Sequence, residues 1–365
     1  MNNTETIKRV FKLYPIKGKV AGVEVIPTGH INETYCVEMD DKGKRKKYVA
    51  QKINAYVFKK PDEVMKNIQT VNDYLDKNGI KEKCDIRRYI NALDGSNLVT
   101  LDGSYWRVCD YIENSVSYDT VENVSVLKNA GYAFGRFQAM LAGLDMNSLY
   151  ETIPDFHNTR VRLNNLFASY EKNEAGRAGE VEKEMEFFRT NRALCCRLVE
   201  LLEEGKLPLR VTHNDTKYNN ILMDKTTGEP VCVIDLDTIM PGLTMYDFGD
   251  AIRFAANTAA EDETDLDKVG LNMDYFKAFT EGFLDAMGGE LTPEEIDNMA
   301  LGAFVITSEI GSRFLADYLD GDKYFRIHRP KHNLERARCQ IKLAEDMLTK
   351  LDDMREAVLS FYKKD

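Results

Sequence analysis

A chain of 365 residues, 43% hydrophobic and 30% charged, can build two lobes with a ligand cleft between them. Its net charge of −11 excludes a broad nucleic-acid or anionic-membrane surface, since both need basic patches, but leaves room for a local basic pocket. Seven Cys with no CxxC spacing and only five His point to reduced core thiols rather than a zinc cage. The N-terminus MNNTETIKRVFKLYP lacks the apolar core and cleavage site of a signal peptide. No apolar run approaches the ~20 residues that span a bilayer. A cytoplasmic location is expected.

The first part of the chain reads as strands. VAGVEVIP, TYCVEM, KYVAQKI, LVTLDG and YWRVCDYI are short, β-branched or aromatic, and bounded by Gly, Asp and Asn turns. DDKGKRK at 40–46 reads as a charged hairpin tip. One helix interrupts: Pro61 at its start, Val64, Ile68, Val71 and Leu75 on one face, Gly79 at its end. Helices dominate after about residue 113. Leu127, Ala130, Phe134, Phe137 and Leu141 share a helical face, and EVEKEMEFFRTNRALCCRLVELLEEGK predicts one long amphipathic helix. Three or more helices are predicted beyond residue 260. Between them VCVIDLD, flanked by turn signals, predicts a strand pair within the helical part. The expected fold is α+β and bilobal: a small antiparallel N-lobe over 1–112 and a large helical C-lobe over 113–365.

Chemistry concentrates in VTHNDTKYNN at 211–220 and VCVIDLDT at 231–238. His213-x-Asp215-x-x-x-x-Asn220 has the spacing of the H-R-D-x-x-x-x-N catalytic loop, in which the Asp orients an attacking hydroxyl and the Asn holds magnesium. A hard cation needs a further carboxylate oxygen, and Asp235 at the end of VCVI fits. Asp247-Phe248-Gly249 spells DFG, but it follows a Pro-Gly turn, so Asp247 is read as a structural acid bracing the loop. Asp237 is open between a second metal contact and a loop cap. His213 is expected to be a buried strut rather than a proton carrier. The alternative for the cluster is a set of turn residues beside a solvated strand end.

These motifs, with TGHINETY, YVAQKIN, WRVCDYIE, FGRFQ, YDFGDAIRF and SRFLADYLDGDKYFRIHRPKHNLERAR, resemble the aminoglycoside phosphotransferase/choline kinase superfamily. Within it the chain resembles most the bacterial N-acetylhexosamine 1-kinases. The resemblance implies a protein-kinase-like fold, ATP and Mg2+ as cofactors, and a small sugar as acceptor. No nucleic acid, membrane or obligate protein partner is implied. It casts Asp215 as the catalytic acid/base and Lys217 as the cation beside the transferring phosphate. Asn220 and Asp235 become metal ligands. Gly29, His30, Ile31 and Asn32 become the nucleotide loop, with no GxGxxG. Lys52 stands where the kinase V-A-I-K lysine stands, with Glu63 as a candidate partner. Asp110 and Ile112 would offer backbone to adenine, and Arg313 and Tyr324 would contact the sugar. The alternatives are a kinase of another small alcohol (choline, an aminoglycoside, a homoserine-like compound) or a nucleotide-binding regulatory pseudokinase, which would be expected to lack Asp215, Asn220 or Asp235.

Overall fold

The structure is a computed structural model that describes residues 3–27, 31–81, 84–118, 120–121 and 123–362. The predicted strands form a five-stranded antiparallel sheet: β1 (Lys19–Ile26), β2 (Glu33–Asp41), β3 (Lys44–Ile53), β5 (Val99–Leu101) and β6 (Ser104–Asp110), in the order β1-β2-β3-β6-β5. The 40–46 tip is a two-residue turn in which Lys42 (φ 55°) and Gly43 (φ 86°) are both left-handed, the twist that hairpins favour. Strand alternation then sorts the side chains onto two faces. Tyr35, Val37, Tyr48, Ala50, Trp106 and Val108 pack against an N-terminal helix α1 (Asn3–Phe11), which the sequence reading does not anticipate. The opposite face, with Ile53, turns toward α2 (Pro61–Lys77) and the main core.

That main core runs through the helical region and takes in Val64, Ile68, Val71 and Leu75 of α2. A short strand β4 (Asp85–Ile86) also joins this side, pairing in the sheet β4-β10-β9-β7 with β10 (Pro230–Val233), β9 (Ile221–Asp224) and β7 (Ser115–Val116). The strand pair expected around VCVIDLD is therefore present, between α3 (Val124–Met140) and the helices α7 (Thr244–Ala255), α8 (Met273–Met287) and α9 (Pro293–Leu319).

The long helix expected over 180–206 is two helices, α5 (Glu182–Thr190) and α6 (Arg192–Glu203), joined at Asn191. The Asn191 side chain donates to Phe187 O and ends α5. The halves then pack on different partners, α5 on α10 (His332–Thr349) and α6 on α4 (Thr159–Lys172) and α9. Sequence periodicity is continuous across the break, so only the packing reveals it.

Two close helix crossings position the site. α7 and α9 meet through Gly249 and Gly302, where a Cβ on either would collide with backbone of the other helix. α3 and α8 meet in the same way through Gly131, Gly135 and Gly282. α9 is long and apolar enough to cross a membrane, yet 78% of its most apolar window is buried inside the protein, as in a core helix. All seven Cys are free, six of them buried.

Candidate active site

The loop that follows β8 (Arg210–Thr212) is held from below by α7. Asp247, buried near its N-terminus, accepts from the backbone N–H of His213 (2.9 Å) and Asn214 (2.7 Å) and from Gln138 Nε2 (2.6 Å). Burial raises the Asp247 pKa above the usual range, opposed by these donors. Thr216 Oγ1 donates to Asp247 O, and Thr238 Oγ1 to His213 O at 2.7 Å. The DFG string is thus a brace under the loop, its glycine serving the contact with α9. His213 is a strut: Nε2 bonds Ile234 O at 2.9 Å, and Nδ1 accepts from Asp215 N at 3.3 Å. Asn214 takes φ 63°, a left-handed conformation that Asn tolerates.

This backbone brings Asp215, Lys217 and Asn220 together. Lys217 Nζ lies 2.8 Å from Asp215 Oδ1, and Asn220 Nδ2 donates to Asp215 Oδ2 at 3.1 Å and to Asp215 O at 2.8 Å. Burial would raise the Asp215 pKa, but Lys217 outweighs it and holds the carboxyl below its ordinary value. Burial likewise works against the Lys217 charge, and Asp215 and Asp250 outweigh it. Asp235 is placed beside them by backbone: Ile234 N donates to Asn220 O at 2.9 Å while Ile234 O takes His213. Asp235 itself is left-handed (φ 61°, ψ 54°). Burial, then the neighbouring Asp237 and Asp215 charges, push its pKa up to about 6.

The donor chemistry here fits a hard divalent cation. With the Asn220 amide nitrogen committed to Asp215, its oxygen is the atom left to ligate, and a cation would relieve the crowding of negative charge around Asp235. Among the described residues no three Asp, Glu, His or Cys side chains converge as an all-protein metal cage. Magnesium sites of phosphoryl-transfer enzymes, which take one or two protein oxygens plus phosphates and waters, need none.

Lys52 is not brought to this site. In the β3–β6 register it pairs with Trp106, on the face that packs under α1, and its Nζ bonds Glu33 Oε1 at 2.8 Å. Glu63, the expected partner, bonds Lys60 instead at 2.9 Å. A buried cation on the inner face is Arg107, opposite Gln51 in the same register. Arg107 is fully buried, its Nη1 pairs with Asp237 Oδ1, its Nε donates to Gln51 Oε1 at 2.9 Å, and its plane covers the Tyr89 ring at 4.5 Å. Asp237 Oδ2 accepts from Asn32 Nδ2 at 2.6 Å, so each of its oxygens has a partner from the N-terminal part of the chain. A sequence signal for Arg107 exists: in YWRVCD it is a charge on the apolar alternation of a central strand.

Of the expected nucleotide loop, Gly29 and His30 lie outside the described residues. Ile31 O accepts from Asn54 Nδ2 (3.2 Å), and Asn32 Oδ1 from Asn54 N (3.0 Å). At the junction, Asp110 O accepts from Arg87 Nη1 (2.9 Å) and Ile112 O from Ser115 Oγ (2.7 Å). The Ile112 N–H has no partner among the described residues.

Arg313 sits on α9 between the Phe156 and Phe325 rings, 5.3 and 5.7 Å away, and reaches Glu309 Oε1 at 3.7 Å. It connects to the loop of Asp215 through a buried chain absent from the sequence reading: Glu309 bonds His157 Nδ1 (3.1 Å), and His157 Nε2 bonds Asn214 O (3.0 Å). Burial opposes both charges, but Glu309 raises His157 and His157 lowers Glu309. Tyr324 is half exposed, and its segment is fixed by Asp317, which accepts from the N–H of Lys323, Tyr324 and Phe325 at 2.8–2.9 Å.

Known proteins place this arrangement. The chain covers 96% of its length and 98% of that of a microcompartment-associated aminopropanol kinase (TM-score 0.64, 14% identity). A choline kinase from Cryptosporidium parvum matches over 98% of each chain (TM-score 0.60, 14% identity). A spectinomycin phosphotransferase solved with ADP and spectinomycin matches over 95% and 98% (TM-score 0.59, 15% identity). At such identities these establish the kinase-like fold alone. The sequence profile of the phosphotransferase enzyme family matches residues 22–279, most of the chain and all of the cluster around Asp215 and Asp235. The chain belongs to the phosphotransferase enzyme family.

Proposed function

We propose that the protein is an ATP- and Mg2+-dependent kinase that phosphorylates the anomeric C1 hydroxyl of an N-acetylhexosamine, GlcNAc or GalNAc. The observation that carries the transfer is the convergence of Asp215, Lys217 and Asn220 with the turn of Asp235. Residues 1–112 would supply the nucleotide side of the cleft and 113–365 the catalytic and acceptor side.

Asn220 and Asp235 would hold magnesium, which when bound neutralises charge on the transferring phosphates. Lys217 offsets charge on outer phosphate oxygens. Asp215 orients the acceptor hydroxyl and takes its proton. With a pKa held low Asp215 is a weak base, which suffices because the anomeric hydroxyl is the most acidic hydroxyl of a reducing sugar. Catalysis is then chiefly positioning and electrostatic stabilisation.

Support for a neutral acceptor comes from the charges on the acceptor side. Glu309 is matched by His157 and Arg313, and Asp250 and Glu261 by Arg253. Arg313 makes no hydrogen bond among the described residues, so its donors remain for a carbonyl or ring hydroxyl. A cationic acceptor such as choline would meet Arg162 and Arg313 there, and its binding is the competing reading that the fold neighbours suggest.

ADP release with Mg2+ and ATP across GlcNAc, GalNAc, glucose, galactose, choline and kanamycin tests this. Turnover on the acetamido sugars that yields a non-reducing product and is lost in Asp215→Asn is expected. Turnover on choline or kanamycin alone sinks the sugar assignment and keeps the kinase. No turnover with any acceptor, despite Mg2+-dependent ATP binding, favours a regulatory pseudokinase.

A further inference from the structure

Arg107, Asp237 and Asn32 form a connection that the proposed chemistry leaves unused. Arg107 lies on the inner face of the N-terminal sheet, Asp237 two residues past the proposed metal ligand Asp235, and Asn32 at the described end of the proposed nucleotide loop. The Asp237 carboxylate divides between them: Oδ1 takes Arg107 Nη1, and Oδ2 takes Asn32 Nδ2 at 2.6 Å. Gln51 (2.9 Å) and the Tyr89 ring (4.5 Å) fix the guanidinium, and Asn54 N (3.0 Å) fixes the Asn32 amide. Arg107 Nη2 is buried without a hydrogen-bond partner among the described residues. A fully buried guanidinium with one donor left over is not arranged for stability alone, because replacing such a pair with apolar groups is often neutral or stabilising.

We infer that Arg107 is a positioning residue for the metal–nucleotide complex, acting through Asp237 and Asn32. The Asp237 carboxylate ties the turn that presents Asp235 to the loop expected to cradle the phosphates, so it sets the distance between metal and phosphate oxygens. Neither partner alone holds that distance, since the turn and the loop come from segments 205 residues apart in the chain. The cation that matters on this sheet is thus one strand over from Lys52 and acts on an acid rather than on the nucleotide directly.

This inference rests on the reading that the cleft binds ATP with magnesium, and its test needs no acceptor. Calorimetry would give the ATP dissociation constant with excess Mg2+ and with EDTA, for the wild type, Asn32→Ala and Arg107→Lys. Asn32→Ala, at a half-buried position in the proposed nucleotide loop, is expected to weaken Mg2+–ATP binding about tenfold and metal-free ATP binding by clearly less, the difference being the lost coupling between metal and nucleotide. Arg107→Lys keeps the charge but cannot bridge Gln51 and Asp237 together, so it should fall between Asn32→Ala and wild type. Folded variants that bind Mg2+–ATP like wild type, or that lose metal-bound and metal-free ATP equally, overturn the inference and leave the kinase reading intact. A wild type that binds ATP under neither condition removes both.

Discussion

The two faces of the N-terminal sheet carry cations in adjacent positions of one register, and they live in different physical worlds. On the outer face the Lys52 side chain is 35% exposed and its partner Glu33 54% exposed. On the inner face Arg107 is 0% exposed and Asp237 3%. Exposed pairs contribute about 0–1 kcal/mol, because water and salt screen them and two long side chains must be ordered. A buried charge that loses its partner costs about 3–5 kcal/mol, because nothing replaces its solvation. One step of the β3–β6 register therefore separates a cation that trims the surface from one on which the junction between the two parts of the chain depends.

The sharpest way to break this comparison is to strip the inner face. Arg107→Met should lower unfolding free energy by about 3–5 kcal/mol in urea titrations, as it leaves Asp237 buried and unpaired. The double variant Arg107→Met, Asp237→Leu should recover much of that loss, by at least about 1 kcal/mol relative to the single change, since no uncompensated charge remains. A double variant as unstable as the sum of its parts would mean that packing, not charge, holds the junction.

The buried His157–Glu309 pair extends the same logic to the helical region. Glu309 lies below its ordinary 4.5 and contributes above that pH, its stabilisation vanishing as pH falls through the lowered value. His157 lies above its ordinary 6.5, so its contribution is full below that pH and lost as pH rises through the raised value. The stability gap between wild type and His157→Gln should therefore be widest between 4.5 and 6.5, at about 1.5–3 kcal/mol, and narrow toward higher pH. A gap that grows as pH rises through 6.5 would show that His157 is neutral in the folded protein, since only the unfolded chain would then take up a proton.

Smallest of all, Lys52→Ala should change stability by less than about 1 kcal/mol, with that difference shrinking in 0.5 M salt. It should also leave the Mg2+–ATP dissociation constant within about threefold, on the scale of an exposed charge away from the phosphates. A tenfold loss there would return Lys52 to the nucleotide site.

The loop of residues 213–220 was legible because its contacts are local. Asp215, Lys217 and Asn220 lie within six residues and one turn satisfies their mutual contacts, so spacing alone predicts their meeting. Asp247 was legible as a structural acid for a different reason, the Pro-Gly turn that separates it from the strand of Asp235, although the contacts it makes with His213 and Asn214 are not local. The strands and α2 followed from periodicity and turn chemistry, which are properties of short segments. The face of the sheet on which Lys52 falls was not legible, because alternation says which residues share a face but not which face meets the cleft. The split at Asn191 was hidden for a related reason: helical periodicity is indifferent to a change of packing partner.

By itself, then, the sequence determined most of the N-terminal strands, α2, the loop of Asp215 and the acid that follows β10, features set largely by interactions along neighbouring residues. Tertiary structure alone decided that Arg107 meets Asp237 across 130 residues, that Asn32 joins them across 205, and that Glu309 of α9 reaches Asn214 through His157, which precedes α4. Such contacts form only when buried surfaces exclude water, and which polar groups end up sharing a dry junction depends on how whole helices and sheets pack.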